Sequence, residues 1–148
     1  MVRKIVPDVI NGQTLHQVAP GDTARYCARL MREKRIAAVL VMDGDRLVGI
    51  VTERDMTARV VAAGADPDIA RARDIMTANP DTLGPDDTAS DAIRMMRDHN
   101  YRHLPVVEGD KVVGMVSVRD LYAVYNGELE QDLKDRNAFI YGENYGTA

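Results

Sequence analysis

Two stretches of this chain decide how it folds: Gly49-Ile50-Val51-Thr52-Glu53-Arg54-Asp55-Met56 and Gly114-Met115-Val116-Ser117-Val118-Arg119-Asp120-Leu121. Each reads as Gly, two apolar residues, Thr or Ser, a variable residue, Arg-Asp and an apolar residue. They stand 65 positions apart, and the likeness extends outward from them. Sliding the chain by 65 lays residues 18–56 on residues 83–121 without a gap, with fifteen of the thirty-nine positions identical. Pro20/Pro85, Asp22/Asp87, Thr23/Thr88, Met31/Met96 and Gly44/Gly109 are among them. The chain is a tandem duplication, one structural unit used twice.

Both copies predict the same elements. Pro20-Gly21-Asp22-Thr23 and Pro85-Asp86-Asp87-Thr88 are turns that end in a Thr suited to cap a helix. Helices are predicted over 24–33 and 89–98, where Ala24, Cys27, Ala28 and Met31, then Ala92, Met95 and Met96, recur at helical spacing. Strands follow at 37–42 and 104–107, hairpin turns at Asp43-Gly44-Asp45 and Glu108-Gly109-Asp110, and return strands at 47–51 and 112–116. Helices over 56–63 and 121–125 close the copies. The fold class is α/β of the α+β kind, a helix–strand–strand–helix unit of about sixty residues. One such unit buries only about 60% of its unfolded surface, so the two are expected to share a core as a pseudo-twofold module. The expected divisions are 1–64 for unit 1, 65–73 for a connector, 74–127 for unit 2, and 128–148 for a C-terminal helix and tail. Asn126-Gly127 is read as the end of the last motif helix, with 128–136 a separate short charged helix.

Composition narrows the function. The 148 residues are 45% hydrophobic and 28% charged, the balance of a soluble globular protein. Nineteen basic against twenty-three acidic residues give a net charge of −4, which argues against a duplex nucleic-acid binder and a polybasic membrane-surface protein. Few aromatics lie outside the tail, which disfavours a single-strand binder. No apolar run reaches the ~18 residues of a membrane span, and the start lacks the apolar stretch of a signal peptide; a cytoplasmic location is expected. Cys27 is the sole cysteine, so it forms no intrachain disulfide or cysteine-built zinc site, and a buried thiol is its expected role. His99 and His103 are four apart, but residues 100–101 should end the helix and no third ligand stands near, so no metal site is assigned. No Ser/His/Asp or Cys/His constellation and no Walker loop occurs, so no catalytic residue is assigned and the chain is not read as an enzyme.

The repeated motif supports two chemistries. Locally, Thr52 and Ser117 are N-caps with Asp55 and Asp120 at the third helical position, a capping box. A helix N-terminus also attracts anions; a hydroxyl there can donate to a phosphate, and an adjacent Arg can pair with it. A carboxylate one turn on would repel phosphate and suits the two hydroxyls of a ribose. Phosphate, ribose and an apolar slot for a base describe an adenosine nucleotide.

These residues resemble the CBS domain, in the tandem arrangement called a Bateman module. The resemblance covers about residues 8–127. It rests on Asp74-Ile75-Met76-Thr77, Asn79-Pro80, His103-Leu104-Pro105-Val106-Val107 and 114–121 in the second copy, and on 39–43 and 49–56 in the first. It implies a regulatory module of the stand-alone type, with no obligatory cofactor. Its two clefts would bind adenosine-containing ligands: AMP, ADP, ATP, S-adenosylmethionine or NAD(H). Carried over, Asp55 and Asp120 are the ribose carboxylates, Thr52 and Ser117 the phosphate-side hydroxyls, and Arg54 and Arg119 stand nearby. The family pattern sets Asp55 opposite Thr77, Thr82, Tyr101, Arg102 and His103. It sets Asp120 opposite Gln17, Ile36, Ala37 and Ala38. Arg102 and His103 then make the Asp55 cleft the tighter one for phosphates. The first copy departs from the pattern, with Asn11-Gly12-Gln13-Thr14-Leu15 where the second has Ile-Met-Thr.

Partners follow from the same resemblance: an adenosine nucleotide, an unnamed regulated protein and a second copy of the chain. Tyr122, Tyr125, Phe139, Tyr141 and Tyr145 are five of the seven aromatic residues. Such a tail either packs on its own domain or docks on another chain, and docking is favoured because CBS pairs associate into two-chain discs. The competing reading is a ligand-free structural or interaction module whose motif residues serve only as caps.

Overall fold

The computed structural model describes residues 2–141, and beyond 127 the side chains of Gln131, Leu133, Lys134 and Arg136 only. The aromatic residues of the tail, Phe139, Tyr141 and Tyr145, lie outside the described side chains. Helices α1 (Ala24–Lys34) and α4 (Ala89–His99) start at Thr23 and Thr88, whose hydroxyls accept from the Tyr26 and Asp91 amides. Both end in a left-handed residue, Arg35 and Asn100. Strands β2 (Ala38–Asp43) and β3 (Arg46–Thr52) form the first hairpin, and β5 (His103–Glu108) and β6 (Lys111–Ser117) the second. Gly44 and Gly109, both at φ 62°, turn these hairpins, and each hairpin carries its irregularity at the matching place, Val41/Met42 and Val106/Val107. The helices after the motifs begin directly at the caps. They are α2 (Glu53–Asp55), which widens into a π-helical stretch over Met56–Val61, and α5 (Val118–Tyr141).

One expectation is corrected. Asn126-Gly127 does not end the helix; α5 runs from Val118 through to Tyr141, and there is no separate helix over 128–136. The glycine stop signal acts through a left-handed φ, which Gly127 does not adopt. Inside a helix Gly costs only about 1 kcal/mol relative to Ala.

The lead-in segments are exchanged between the copies. Ala24 and Ala72 donate to the carbonyls of Ala70 and Asp22 (2.8 and 2.7 Å), fixing α3 (Ala72–Ile75) against the start of α1. The N-terminal segment makes the equivalent pair with the other copy: Ala89 to Arg3 and Ile5 to Asp87, both 2.8 Å. Ile5 and Ile10 therefore pack into the core of the second copy, with Leu83, Ala92, Met96, Leu104, Val106, Val116 and Leu121. Ala72 and Ile75 pack into the core of the first, with Val18, Cys27, Met31, Val39, Val41 and Val51. Leu40, Met42 and Val112 form a smaller core with Leu15, Leu47, Val107 and Met115, joining residues of both copies.

The first sheet has the order β1-β2-β3-β4, with β1 (Gln17–Val18) parallel to β2 and β4 (Thr77–Ala78) antiparallel to β3. The second sheet is β5-β6, and a parallel bridge of Leu83 to Val106 stands where β1 stands in the first. Its β4 position is filled by a side chain. Gln13 Nε2 donates to the Met115 carbonyl at 3.0 Å, and the Met115 amide donates to Gln13 Oε1 at 2.7 Å. The departure at 11–15 thus carries a carboxamide that satisfies the backbone groups Thr77 would meet in the other copy.

Truncating Ile5, fully buried in the second copy's core, tests the exchange. Ile5→Ala should cost about 2–4 kcal/mol, lowering Tm by roughly 5–15 °C. Hydrogen exchange should quicken in α4, β5 and β6 before β2 and β3; the reverse order would contradict the exchange.

Candidate functional site

The two motifs close in the same way. Asp55 Oδ2 accepts from the Thr52 amide at 2.8 Å and the Thr52 hydroxyl at 3.1 Å, while the Asp55 amide donates to Thr52 Oγ1 at 3.3 Å. Asp120 Oδ2 accepts from the Ser117 amide and hydroxyl at 2.8 and 2.9 Å, and the Asp120 amide donates to Ser117 Oγ at 3.2 Å. The capping reading describes these bonds. It engages one carboxylate oxygen only; among the described residues neither Oδ1 accepts a hydrogen bond. Capping and ligand recognition can therefore share one carboxylate. Asp55 is buried and Asp120 half-buried.

Two contacts run from the first motif toward the residues expected opposite Asp55. Thr77 pairs with Ile50, two positions before Thr52. Arg54 Nη1 donates to the Asn100 carbonyl at 3.3 Å, tying the first motif to the turn that leads into Tyr101, Arg102 and His103. Tyr101 stacks on His99 with ring centroids 5.5 Å apart. Thr82 and Arg102 are exposed. Around Asp120 the ties are fewer. Gln17 is on β1 beside Leu40, Ile36 packs on the first copy's core, and Ala38 pairs with Thr52. The Ala37 carbonyl accepts from the Glu53 amide at 3.0 Å. No hydrogen bond or ion pair among the described residues joins Asp120 or Arg119 to these four.

Three residues were not singled out from the sequence. Arg59 lies one turn past Asp55, with Nε 3.8 Å from Asp55 Oδ1; its signal was the i,i+4 Asp–Arg spacing. Glu53 acts on His103 across the copies, and Gln13 pairs with Met115; neither leaves a mark in a pattern search.

The CBS domain family model matches residues 3–62 and 72–127. The chain belongs to the CBS-domain family. An uncharacterized protein of Methanopyrus kandleri is 37% identical over 119 residues, which is 79% of this chain and 58% of that protein. The chain thus spans little more than half of that relative's length. Among solved structures, a CBS-domain protein from Burkholderia ambifaria superposes with a TM-score of 0.80 at 32% identity, covering 86% of this chain and 96% of that one. A CBS domain protein of Pyrobaculum aerophilum, complexed with AMP, gives 0.71 at 28%, covering 82% and 95%.

Electrostatically, the two CBS units meet at His103. Its Nδ1 is buried without a hydrogen-bond partner. Burial holds its pKa below the ordinary histidine value and Arg102 adds to this, while Asp120 of its own unit and Glu53 of the other oppose it. Ala38 occupies the equivalent place in the first unit, so only one unit carries an ionisable group there. Cys27 is fully buried, and burial pushes its thiol up to about 11, so it stays protonated at neutral pH. Among the described residues no cluster of three potential metal ligands is present, and no helix is long and apolar enough to cross a membrane.

The His103 shift has a definite sign. The unfolded chain takes up this proton near the ordinary value of about 6.5, and the folded chain only at lower pH. Stability from a neutral His103 is complete above about pH 6.5 and is lost as pH falls below it. Between pH 7 and 5 the Tm of the native protein should fall further than that of His103→Gln. Parallel melting curves would contradict a buried neutral histidine.

Proposed function

We propose that this CBS pair is a regulatory module that binds an adenosine nucleotide of the AMP/ADP/ATP class in the clefts beside Asp55 and Asp120 and relays occupancy to a partner protein. The observation carrying the reading is the Oδ1 of each motif carboxylate, which accepts no hydrogen bond among the described residues and stands one turn into a helix with a hydroxyl at its cap and an Arg beside it, repeated in both units. Ribose hydroxyls donate to Oδ1, and phosphate lies toward Thr52/Arg54 or Ser117/Arg119. Thr77, Thr82, Tyr101, Arg102 and His103 complete the first cleft; Gln17, Ile36, Ala37 and Ala38 complete the second. The AMP complex of the Pyrobaculum relative supports the ligand class. The module itself is non-catalytic, and coupling requires only that the partner prefer one ligation state.

Thermal unfolding with AMP, ADP, ATP, S-adenosylmethionine and NADH tests this. A ligand at a hundredfold excess over Kd adds about 2.7 kcal/mol, a rise of roughly 5–10 °C for a chain of this size. Asp55→Ala and Asp120→Ala each lose a cap and lower the baseline, so the readout is the nucleotide-dependent increment. It should shrink in each variant, more for Asp55→Ala. No increment with any nucleotide at millimolar concentration would favour the alternative, a structural interaction module.

A homodimer is part of the proposal. Between α4 and α5 lies a groove of about 560 Å³ whose lining includes Ile93, Met96, Tyr101, Val118, Tyr122 and Tyr125, with Ile93, Val118, Tyr122 and Tyr125 exposed. Adjacent exposed apolar groups of this kind mark association surfaces, and a self-complementary one forms a symmetric pair. Tyr122→Glu should convert a sedimenting dimer to monomer; a native protein that sediments as monomer at high concentration would refute it.

A further inference from the structure

The two motif carboxylates sit in matching capping boxes, yet among the described residues an ion pair forms at Asp55 and not at Asp120. Arg59 Nε stands 3.8 Å from Asp55 Oδ1, the oxygen the cap does not use. Its Nη1 donates to the carbonyls of Ile75 at 3.2 Å and Met76 at 2.7 Å. Ile75 ends α3 and Met76 follows it, so these carbonyls belong to the lead-in segment of the second unit, which packs on the first. The position equivalent to Arg59 is Val124, which can make neither contact.

The planar guanidinium presents its donors in a fixed fork, so one side chain can hold a carboxylate and backbone carbonyls together. The contacts close a ring. Arg59 reaches Met76, Met76 lies over Gly49, Thr77 pairs with Ile50, and the same strand ends at Thr52, whose amide and hydroxyl bind Asp55. At 3.8 Å Arg59 makes no hydrogen bond to Oδ1, so that oxygen keeps its capacity to accept.

We propose that Arg59 is a positioning residue that ties ribose recognition at Asp55 to the crossing segment 72–78, so that the first cleft reports its occupancy to that segment and the Asp120 cleft does not. This rests on the nucleotide reading above. Ribose hydroxyls donating to Oδ1 immobilise the carboxylate, and the ion pair passes the restraint through Arg59 to the Ile75 and Met76 carbonyls.

Hydrogen exchange on the full chain tests it, with AMP as probe and Asp120→Ala as background so that only the Asp55 cleft fills. Without AMP, Arg59→Gln should exchange faster over 74–80. With saturating AMP, the chain with Arg59 intact should gain protection there. Arg59→Gln, in which the Asp55 carboxylate loses the ion pair that orients it, should bind AMP about tenfold more weakly and should gain no protection at 74–80. Arg59→Lys keeps the charge but not the fork, and should recover part of the affinity without the protection; it carries the test if the Gln variant does not fold. Native AMP affinity and native protection at 74–80 in Arg59→Gln would overturn the inference and leave the nucleotide reading standing. If AMP neither binds nor protects the native chain, the nucleotide reading itself fails and this inference with it.

Discussion

The close approach of a foreign segment to the backbone at Gly49 and Gly114 is the constraint on which the rest of the structure depends. A Cβ on Gly49 would lie 2.3 Å from Met76 Sδ and 3.0 Å from the Thr77 carbonyl oxygen. One on Gly114 would lie 2.3 Å from Ile10 Cδ1 and 3.0 Å from Gln13 Oε1. Neither glycine is there for its φ, since neither adopts a left-handed conformation; each is there because it has no side chain. The return strand of each unit can thus be crossed by the lead-in of the other. With Ile5 and Ile10 in one core and Ala72 and Ile75 in the other, neither unit is complete without its partner's segment.

The crossing also places the chemistry. Each Gly begins the motif whose Thr or Ser caps the next helix, so the segment that lies over the glycine runs beside the cap. In the first unit this brings Thr77 level with Ile50, puts the Ile75 and Met76 carbonyls within reach of Arg59, and leaves Asp55 buried with one oxygen open. A helix N-terminus enclosed by a second polypeptide segment differs from one facing water. Its dipole and cap are less screened, and under the nucleotide reading a ligand there would touch both units at once.

Much of this was legible in the sequence because the repeat supplied a second reading of every element. The α1 and α4 starts, both hairpins and both caps stand where Thr23/Thr88, Gly44/Gly109 and Thr52/Ser117 put them. Periodicity fixes elements of one chain segment against themselves and cannot say which copy a lead-in packs against, so the exchange of residues 5–10 with 72–75 was invisible. The continuation of α5 through Asn126-Gly127 was misread for a related reason. Turn-forming residues only permit a turn, and nothing downstream required one. Gln13 and Arg59 were missed because each works through a backbone group of a distant segment, and backbone groups leave no pattern in a sequence.

The duplicates have kept the capping box and diverged behind it. The Thr52–Asp55 and Ser117–Asp120 pairs make matching hydrogen bonds, but Val124 stands in the second unit where Arg59 stands in the first, His103 where Ala38 stands, and the carboxamide of Gln13 where the first has the backbone strand at Thr77. All three differences lie where one unit meets the other. A box serving only to start a helix would be indifferent to them, since its hydrogen bonds are internal to the motif. Under the nucleotide reading they matter, because they set what a ligand meets beyond the ribose: in the first cleft a cation bridged to the crossing segment and the half-buried imidazole of His103, in the second the aliphatic Val124 and Ala38. Two clefts with the same recognition element and different surroundings can differ in affinity, in pH response and in what they transmit, so a module built by duplication can give an unequal answer to a single ligand.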